Sequence, residues 1–227
     1  MKYIIIGLGN FGSSLSIELT AMGHEVIGVD NEMAKVDALK DSITHAICMD
    51  STDIQAINSL PFNDTDVVIV GIGEDFGASL MTTAILKQAN VKRIISRAIS
   101  PLHQTVLEAI GVDEIVSPEQ ESAERLAKKL NMKGVIDSFN LSDDYNIIEA
   151  TVPERYAGIT LEEANLRGKY HLNVLTIKKM KDVKNIFGLA QRKAVVEGVV
   201  TPQTTLEKGD ILAVFGKIKD IQRMLKA

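Results

Sequence analysis

The amino-acid sequence predicts an α/β protein, with a doubly wound parallel sheet in its first half and a small α+β module after it. Three observations carry this expectation. Lys2 to Asp30 reads as strand, glycine turn, helix, strand and terminal carboxylate. Strand and helix patterns then keep alternating as far as Val116. From about residue 145 onward, short strand patterns predominate over helical ones.

Lys2-Tyr3-Ile4-Ile5-Ile6 is apolar on both faces and rich in β-branched residues, as suits an inner strand of a parallel sheet. It ends at Gly7-Leu8-Gly9-Asn10-Phe11-Gly12, a G-x-G-x-x-G. Gly7 permits the tight turn, Gly9 leaves room for a pyrophosphate against the backbone, and Gly12 lets the next helix pack closely on the strand. That helix begins near Phe11. Its first N–H groups lack intrahelical partners, and the helix dipole adds to their attraction for phosphate. Glu25-Val26-Ile27-Gly28-Val29-Asp30 is a second strand, ending in a carboxylate about 20 residues beyond the glycines. At that spacing an acid reaches ribose hydroxyls and repels a 2′-phosphate. The alternative is a plain βαβ unit with glycine-lined packing; the strand before, the helix after and the placed acid favour a nucleotide.

Met33 to Asp41 reads as a helix and Thr44 to Met49 as a third strand. Asp50-Ser51-Thr52-Asp53 follows at a strand's carboxyl end, where open parallel sheets gather ligand contacts, and also suits the N-cap of a helix over Asp53 to Leu60. Asp66 to Val70 is a fourth strand. It leads to Gly71-Ile72-Gly73-Glu74-Asp75, placed to close over a ligand or to act as an ordinary flexible connection. Phe76 to Ala89 is a long amphipathic helix, and Arg93 to Arg97 a fifth strand whose terminal cation meets either phosphate or solvent. Ser100-Pro101 and Ser117-Pro118 each read as an N-cap followed by proline at the first helical position. Gly111 to Val116 contains a sixth strand, and Glu119 to Met132 is a charged amphipathic helix.

The expected domains are 1–133, a polar linker over 134–144, and 145–227. In the second domain, strands are expected at Asn146 to Val152, Leu172 to Lys178, Lys193 to Val200 and Asp210 to Phe215. Thr160-Leu161-Glu162-Glu163 has the spacing of a capping box, and Lys217 to Lys226 forms a closing helix.

Composition excludes several classes. A net charge of −5 and 4% aromatic residues give no footprint for nucleic acid. No apolar run approaches the roughly 20 residues that span a bilayer, so a cytoplasmic protein is expected. The single Cys48 lies in an apolar run and reads as a buried small hydrophobe. A dehydrogenase needs a proton carrier beside the nicotinamide. The four histidines, His24, His45, His103 and His171, share no metal-ligand spacing, and surface or capping roles suffice for them. No acid/base constellation marks the second domain, so a sensor or assembly module is expected there rather than an enzyme. The alternatives are an NAD-dependent oxidoreductase and a free-standing nucleotide or second-messenger sensor.

Further local features are Val106-Leu107-Glu108-Ala109-Ile110-Gly111-Val112-Asp113, Pro118-Glu119 and Glu207-Lys208-Gly209-Asp210-Ile211-Leu212. Together with the glycine loop and Asp50-Ser51-Thr52-Asp53, they make the whole chain resemble the cytoplasmic gating subunits of bacterial potassium uptake, the TrkA and KtrA family. The resemblance implies a Rossmann-type RCK-N (KTN) domain joined by a crossover helix to a small RCK-C domain. It implies a regulator that binds NAD(H), ADP or ATP. It further implies homodimers assembled into a ring under a membrane potassium translocator of the TrkH or KtrB type, at the inner face of the cell membrane.

By the same resemblance Gly7, Gly9, Phe11 and Gly12 carry the pyrophosphate, with Leu8 and Asn10 in the same loop. Asp30 takes the ribose beside Asn31, and Asp50 and Ser51 take the adenine edge. Ile72, Gly73 and Glu74 flank the ligand, and Arg97 meets phosphate. Glu119 holds a divalent or monovalent cation, although its place in a first helical turn also suits a helix-dipole acid. Asn10 stands where many relatives carry an arginine that meets the terminal phosphate of ATP, which favours ADP or NAD(H). Asn165-Leu166-Arg167-Gly168-Lys169-Tyr170 resembles a motif that binds cyclic di-AMP in some relatives, with Ala164 replacing a frequent aspartate. The stretch Lys184 to Glu197 is longer than in relatives.

Overall fold

The computed structural model describes residues 1–142, 144–184 and 190–226. The chain forms two compact units, Met1–Gln120 and Glu121–Ala227.

The first unit alternates strand and helix: β1 (Lys2–Ile6), α1 (Asn10–Ala21), β2 (Glu25–Asp30), α2 (Met33–Leu39), β3 (His45–Cys48), α3 (Ile54–Ile57), followed by a short 3-10 helix at Phe62–Asp64, then β4 (Val67–Val70), α4 (Phe76–Gln88), β5 (Ile94–Arg97), α5 (Pro101–Ile110) and β6 (Glu114–Val116). The six strands order β3-β2-β1-β4-β5-β6, and every pairing is parallel. This is the nucleotide-binding order with a switch point between β1 and β4. The apolar residues of β1 explain its central place. Ile4 and Ile6 join one buried cluster and Ile5 the other, so both faces of the strand are covered. Val68 and Val70 of β4 repeat the division against Val67 and Ile69. Each such fully buried side chain contributes about 1.5–3 kcal/mol.

Helix α6 (Pro118–Asn131) bridges the two units and has no buried residue. The second unit holds β7 (Val135–Asn140), β8 (Tyr145–Thr151), α7 (Leu161–Ala164), α8 (Leu166–Tyr170), β9 (Asn173–Lys184), β10 (Ala190–Val196), β11 (Ile211–Lys217) and α9 (Ile218–Lys226). Its five strands order β10-β9-β11-β8-β7, all antiparallel. Ile148, Ile177, Leu212 and Val214 form a core with Ile221 and Met224 of α9. The capping box is present: Thr160 Oγ1 accepts the Glu163 N–H at 3.2 Å, and Glu163 Oε2 accepts the Thr160 N–H at 2.8 Å.

Two expectations are corrected here. The 134–144 segment is no linker, because Val135–Asn140 pairs with β8 as an edge strand. Its alternation was hidden by a register shift between Val135 and Asp137, which breaks the period of two. The compact units divide at Gln120, not at residue 133, because α6 lies across the boundary as one uninterrupted helix. Within the long stretch Lys184 to Glu197, residues 185–189 lie outside the described residues. Among the described residues, no helix is long and apolar enough to cross a membrane.

Candidate functional site

β1 delivers the chain to Gly7, whose φ of +96° suits glycine. A Cβ there would lie 2.8 Å from the Ile72 amide nitrogen, and a Cβ on Gly12 would collide with the Gly7 carbonyl oxygen. Both positions exclude a side chain so that two strand ends and α1 can meet. Gly9 differs. Its φ is −66°, and nothing lies within 4 Å of where its Cβ would be. The space it leaves belongs to a cleft of about 300 Å³ at the carboxyl ends of the strands. Gly9 is also the N-cap of α1 and offers no side-chain cap, so the helix turns bare first-turn N–H groups toward the cleft. These features fit a pyrophosphate.

At one end of the cleft Asp30 is 7% exposed. Its Oδ2 accepts the Leu8 N–H at 2.7 Å and its Oδ1 the Glu32 N–H at 2.9 Å, so the carboxylate fixes the glycine loop as well as facing the cleft. Asp50 Oδ1 accepts both the N–H and the hydroxyl of Thr52, at 2.8 and 2.7 Å, and these bonds hold its carboxyl below the usual range. The Ser51 hydroxyl is turned inward, 2.8 Å from Thr82 Oγ1. Lys35 sits on the same rim, bonded to Glu32 at 2.7 Å, a contact that raises its pKa.

At the other end Arg97 closes β5. Its Nη1 donates to the Gly71 carbonyl at 3.3 Å, its Nη2 meets Glu119 Oε1 at 2.5 Å, and its guanidinium lies 5.8 Å from the Phe11 ring centroid. A side chain on Gly73 would strike this guanidinium. Partial burial pushes the Glu119 carboxyl up, but its own backbone N–H and Arg97 outweigh that and leave it below the usual range.

Of the sequence-predicted residues, Gly7, Gly9, Asn10, Asp30, Asn31, Asp50, Ser51, Ile72, Gly73, Glu74, Arg97 and Glu119 line this cleft. Leu8, Phe11 and Gly12 do not. Leu8 is buried in the core, Phe11 packs against the same cluster, and Gly12 lies against the Gly7 carbonyl. Sequence reading missed Glu32, Lys35, Met49 and Ala78; Gly71 and Asp75, in the turn expected to close over a ligand, also line the cleft, and Asp75 is the N-cap of α4. The lining carries six carboxylates against two cations. Among the described residues no set of three His, Cys, Asp or Glu side chains gathers as a metal site, and Glu119 faces Arg97.

Two residues depart from expectation outside the cleft. Cys48 is exposed, because β3 is an edge strand. His103 is wholly buried, its ring 4.8 Å from that of Phe76, and burial lowers its pKa.

The TrkA-N domain family matches residues 3–118. The chain is 36% identical over 227 residues to Ktr system potassium uptake protein C of Bacillus subtilis, covering 99% of this chain and 96% of the relative. To Ktr system potassium uptake protein A of the same organism it is 33% identical over 222 residues, with 98% and 94% covered. Among solved structures, the GsuK RCK domain aligns with a TM-score of 0.67 at 15% identity, over all of this chain and 48% of that one. The chain thus spans about half the length of that solved chain, and the likeness is one of fold. The NAD(P)-binding domain of an exopolyphosphatase-related protein from Archaeoglobus fulgidus aligns at 28% identity with a TM-score of 0.50, over 57% of this chain and 96% of that one. With the family matched over half its length and Ktr proteins related to it from end to end, the chain belongs to the TrkA-N family of potassium uptake proteins.

Proposed function

We propose that this chain is the nucleotide-binding regulatory subunit of a bacterial potassium uptake system. One observation carries the proposal: in a chain related throughout to Ktr proteins, a single cleft gathers Asp30, the bare N-terminus of α1 and Arg97 in the order ribose, pyrophosphate, terminal phosphate. Asn10 supplies no charge at that cleft, which supports ADP or NAD(H) over ATP as ligand. Six lining carboxylates disfavour a bare polyphosphate, so a divalent or monovalent cation accompanies it, with Glu119 as its ligand. Asp30 and Glu32 together disfavour a 2′-phosphate.

The chain acts by binding rather than by catalysis. Arg97 shares its guanidinium between Gly71 and Glu119, so any anion that competes for it bears on the first turn of α6. A ligand alters an assembly only by its preference for one arrangement, and a tenfold preference amounts to about 1.4 kcal/mol. Paired subunits in a ring, docked at the inner face of the membrane on a potassium translocator, would convert that preference into opening or closing. The Asn165–Tyr170 turn is the place where the small unit would take cyclic di-AMP: Asn165 adopts φ 45° and its side chain accepts the Gly168 N–H at 3.0 Å, leaving Arg167 and Lys169 exposed.

Complementation tests the function. A Bacillus subtilis strain lacking its own Ktr proteins A and C should regain growth at limiting potassium when it expresses this chain, and should fail with Gly9→Val. NADH oxidation by the purified chain should stay at background. Growth restored equally by both forms, or NADH turnover, would overturn the proposal.

A further inference from the structure

The buried face of α4 is polar where it should be apolar. A helix packed on a parallel sheet normally turns aliphatic residues inward, as Ile85 and Leu86 do one turn later. Ser79, Thr82 and Thr83 are nevertheless completely buried. Burying hydroxyls is unfavourable unless they are bonded, so the partners of Thr82 and Thr83 show what those two serve; the Ser79 hydroxyl has no hydrogen-bond partner among the described residues.

Thr82 Oγ1 leaves its own helix. It lies 2.8 Å from Ser51 Oγ and 3.3 Å from the Ser51 carbonyl oxygen, 31 positions away in the turn after β3. Thr83 Oγ1 donates to the Ser79 carbonyl at 2.8 Å and lies 3.2 Å from Ser96 Oγ, the residue before Arg97 in β5. Consecutive helical residues point about 100° apart, so one turn of α4 reaches both sides of the cleft. The same helix adds Asp75 and Ala78 to the cleft wall.

We propose that Thr82 and Thr83 are positioning residues that brace the two ends of the nucleotide site, Thr82 through Ser51 at the nucleoside end and Thr83 through Ser96 and Arg97 at the phosphate end. This inference rests on the nucleotide reading of the cleft. Valine matches threonine in shape and removes only the hydroxyl, whereas serine keeps it. The two ends are separable because ADP extends one phosphate further toward Arg97 than AMP.

The test is calorimetric titration of the full chain with ADP and with AMP. Thr82→Val should weaken both ligands by the same factor, about tenfold, or about 1.4 kcal/mol. Thr83→Val should weaken ADP by a similar factor and leave AMP within about twofold. Thr82→Ser and Thr83→Ser should bind as the wild type does. Ser51→Ala and Ser96→Ala should reproduce the two patterns from the opposite partner, which keeps the test decisive if a valine variant fails to fold. Wild-type binding in all variants, or equal loss of ADP and AMP in both valine variants, would overturn the proposal. Failure of the wild type to bind ADP or AMP would overturn the proposal, and failure to bind NADH as well would overturn the nucleotide reading with it.

Discussion

Gly9 and Gly12 show two different uses of glycine in one loop. Gly12→Ala drives a Cβ into the Gly7 carbonyl, a backbone group with no room to yield, so a loss of about 3 kcal/mol in chemical denaturation is expected. Gly9→Ala meets nothing within 4 Å at an ordinary φ, and should leave stability within about 0.5 kcal/mol while lowering nucleotide affinity about tenfold. The placing of Gly7, Gly9 and Gly12 in the loop and of Asp30 at the cleft was legible because the motif fixes backbone positions by spacing alone. Spacing alone did not show that the Leu8 and Phe11 side chains pack in the core rather than line the cleft. Ser51 was found, but not the direction of its hydroxyl, since its partner Thr82 lies 31 residues away. Cys48 misled because an apolar run does not reveal that its strand lies at a sheet edge.

Helix α5 carries a buried titratable group against α4. His103 Nδ1 accepts the Ile99 N–H at 3.4 Å, its ring packs on Phe76, and burial alone depresses its pKa below the ordinary 6.5. The folded chain therefore prefers the neutral ring, while the unfolded chain takes up a proton as pH falls through about 6.5. Stability should fall as pH drops below that value and level off once the folded state also titrates. Thermal denaturation between pH 7 and 5 checks this, and His103→Leu should flatten the profile; an unchanged slope would assign the effect to other groups. The strands and α-helices of the first unit were readable, because strands covered on both faces give continuous apolar runs, but the 3-10 helix at Phe62–Asp64 was not. β7 was not readable: an edge strand packed on one face alternates weakly, and its bulge removed the alternation that remained.

At the scale of the whole molecule, α6 leaves Leu126 55% and Leu130 78% exposed, four residues apart on one face. A second copy of the chain is the proposed cover. Leu126→Ser with Leu130→Ser should lower the mass measured by light scattering by at least half; an unchanged mass would contradict a role for this helix in pairing. The division at Gln120 was illegible because the helical pattern runs through it without a break. The doubly wound parallel sheet, by contrast, followed from the alternation of strand and helix, while the order of its six strands is a finding of the structure. The proposed function requires that the cleft bind an adenine nucleotide and that the assembly respond. Titration of the full chain with ADP, NADH and NADPH, with light scattering on the same samples, tests it most directly. Saturable binding of ADP or NADH, NADPH weaker by about tenfold or more because of Asp30 and Glu32, and a ligand-dependent change in scattering are predicted. Equal affinity for NADPH, or no binding of any of the three, would contradict it.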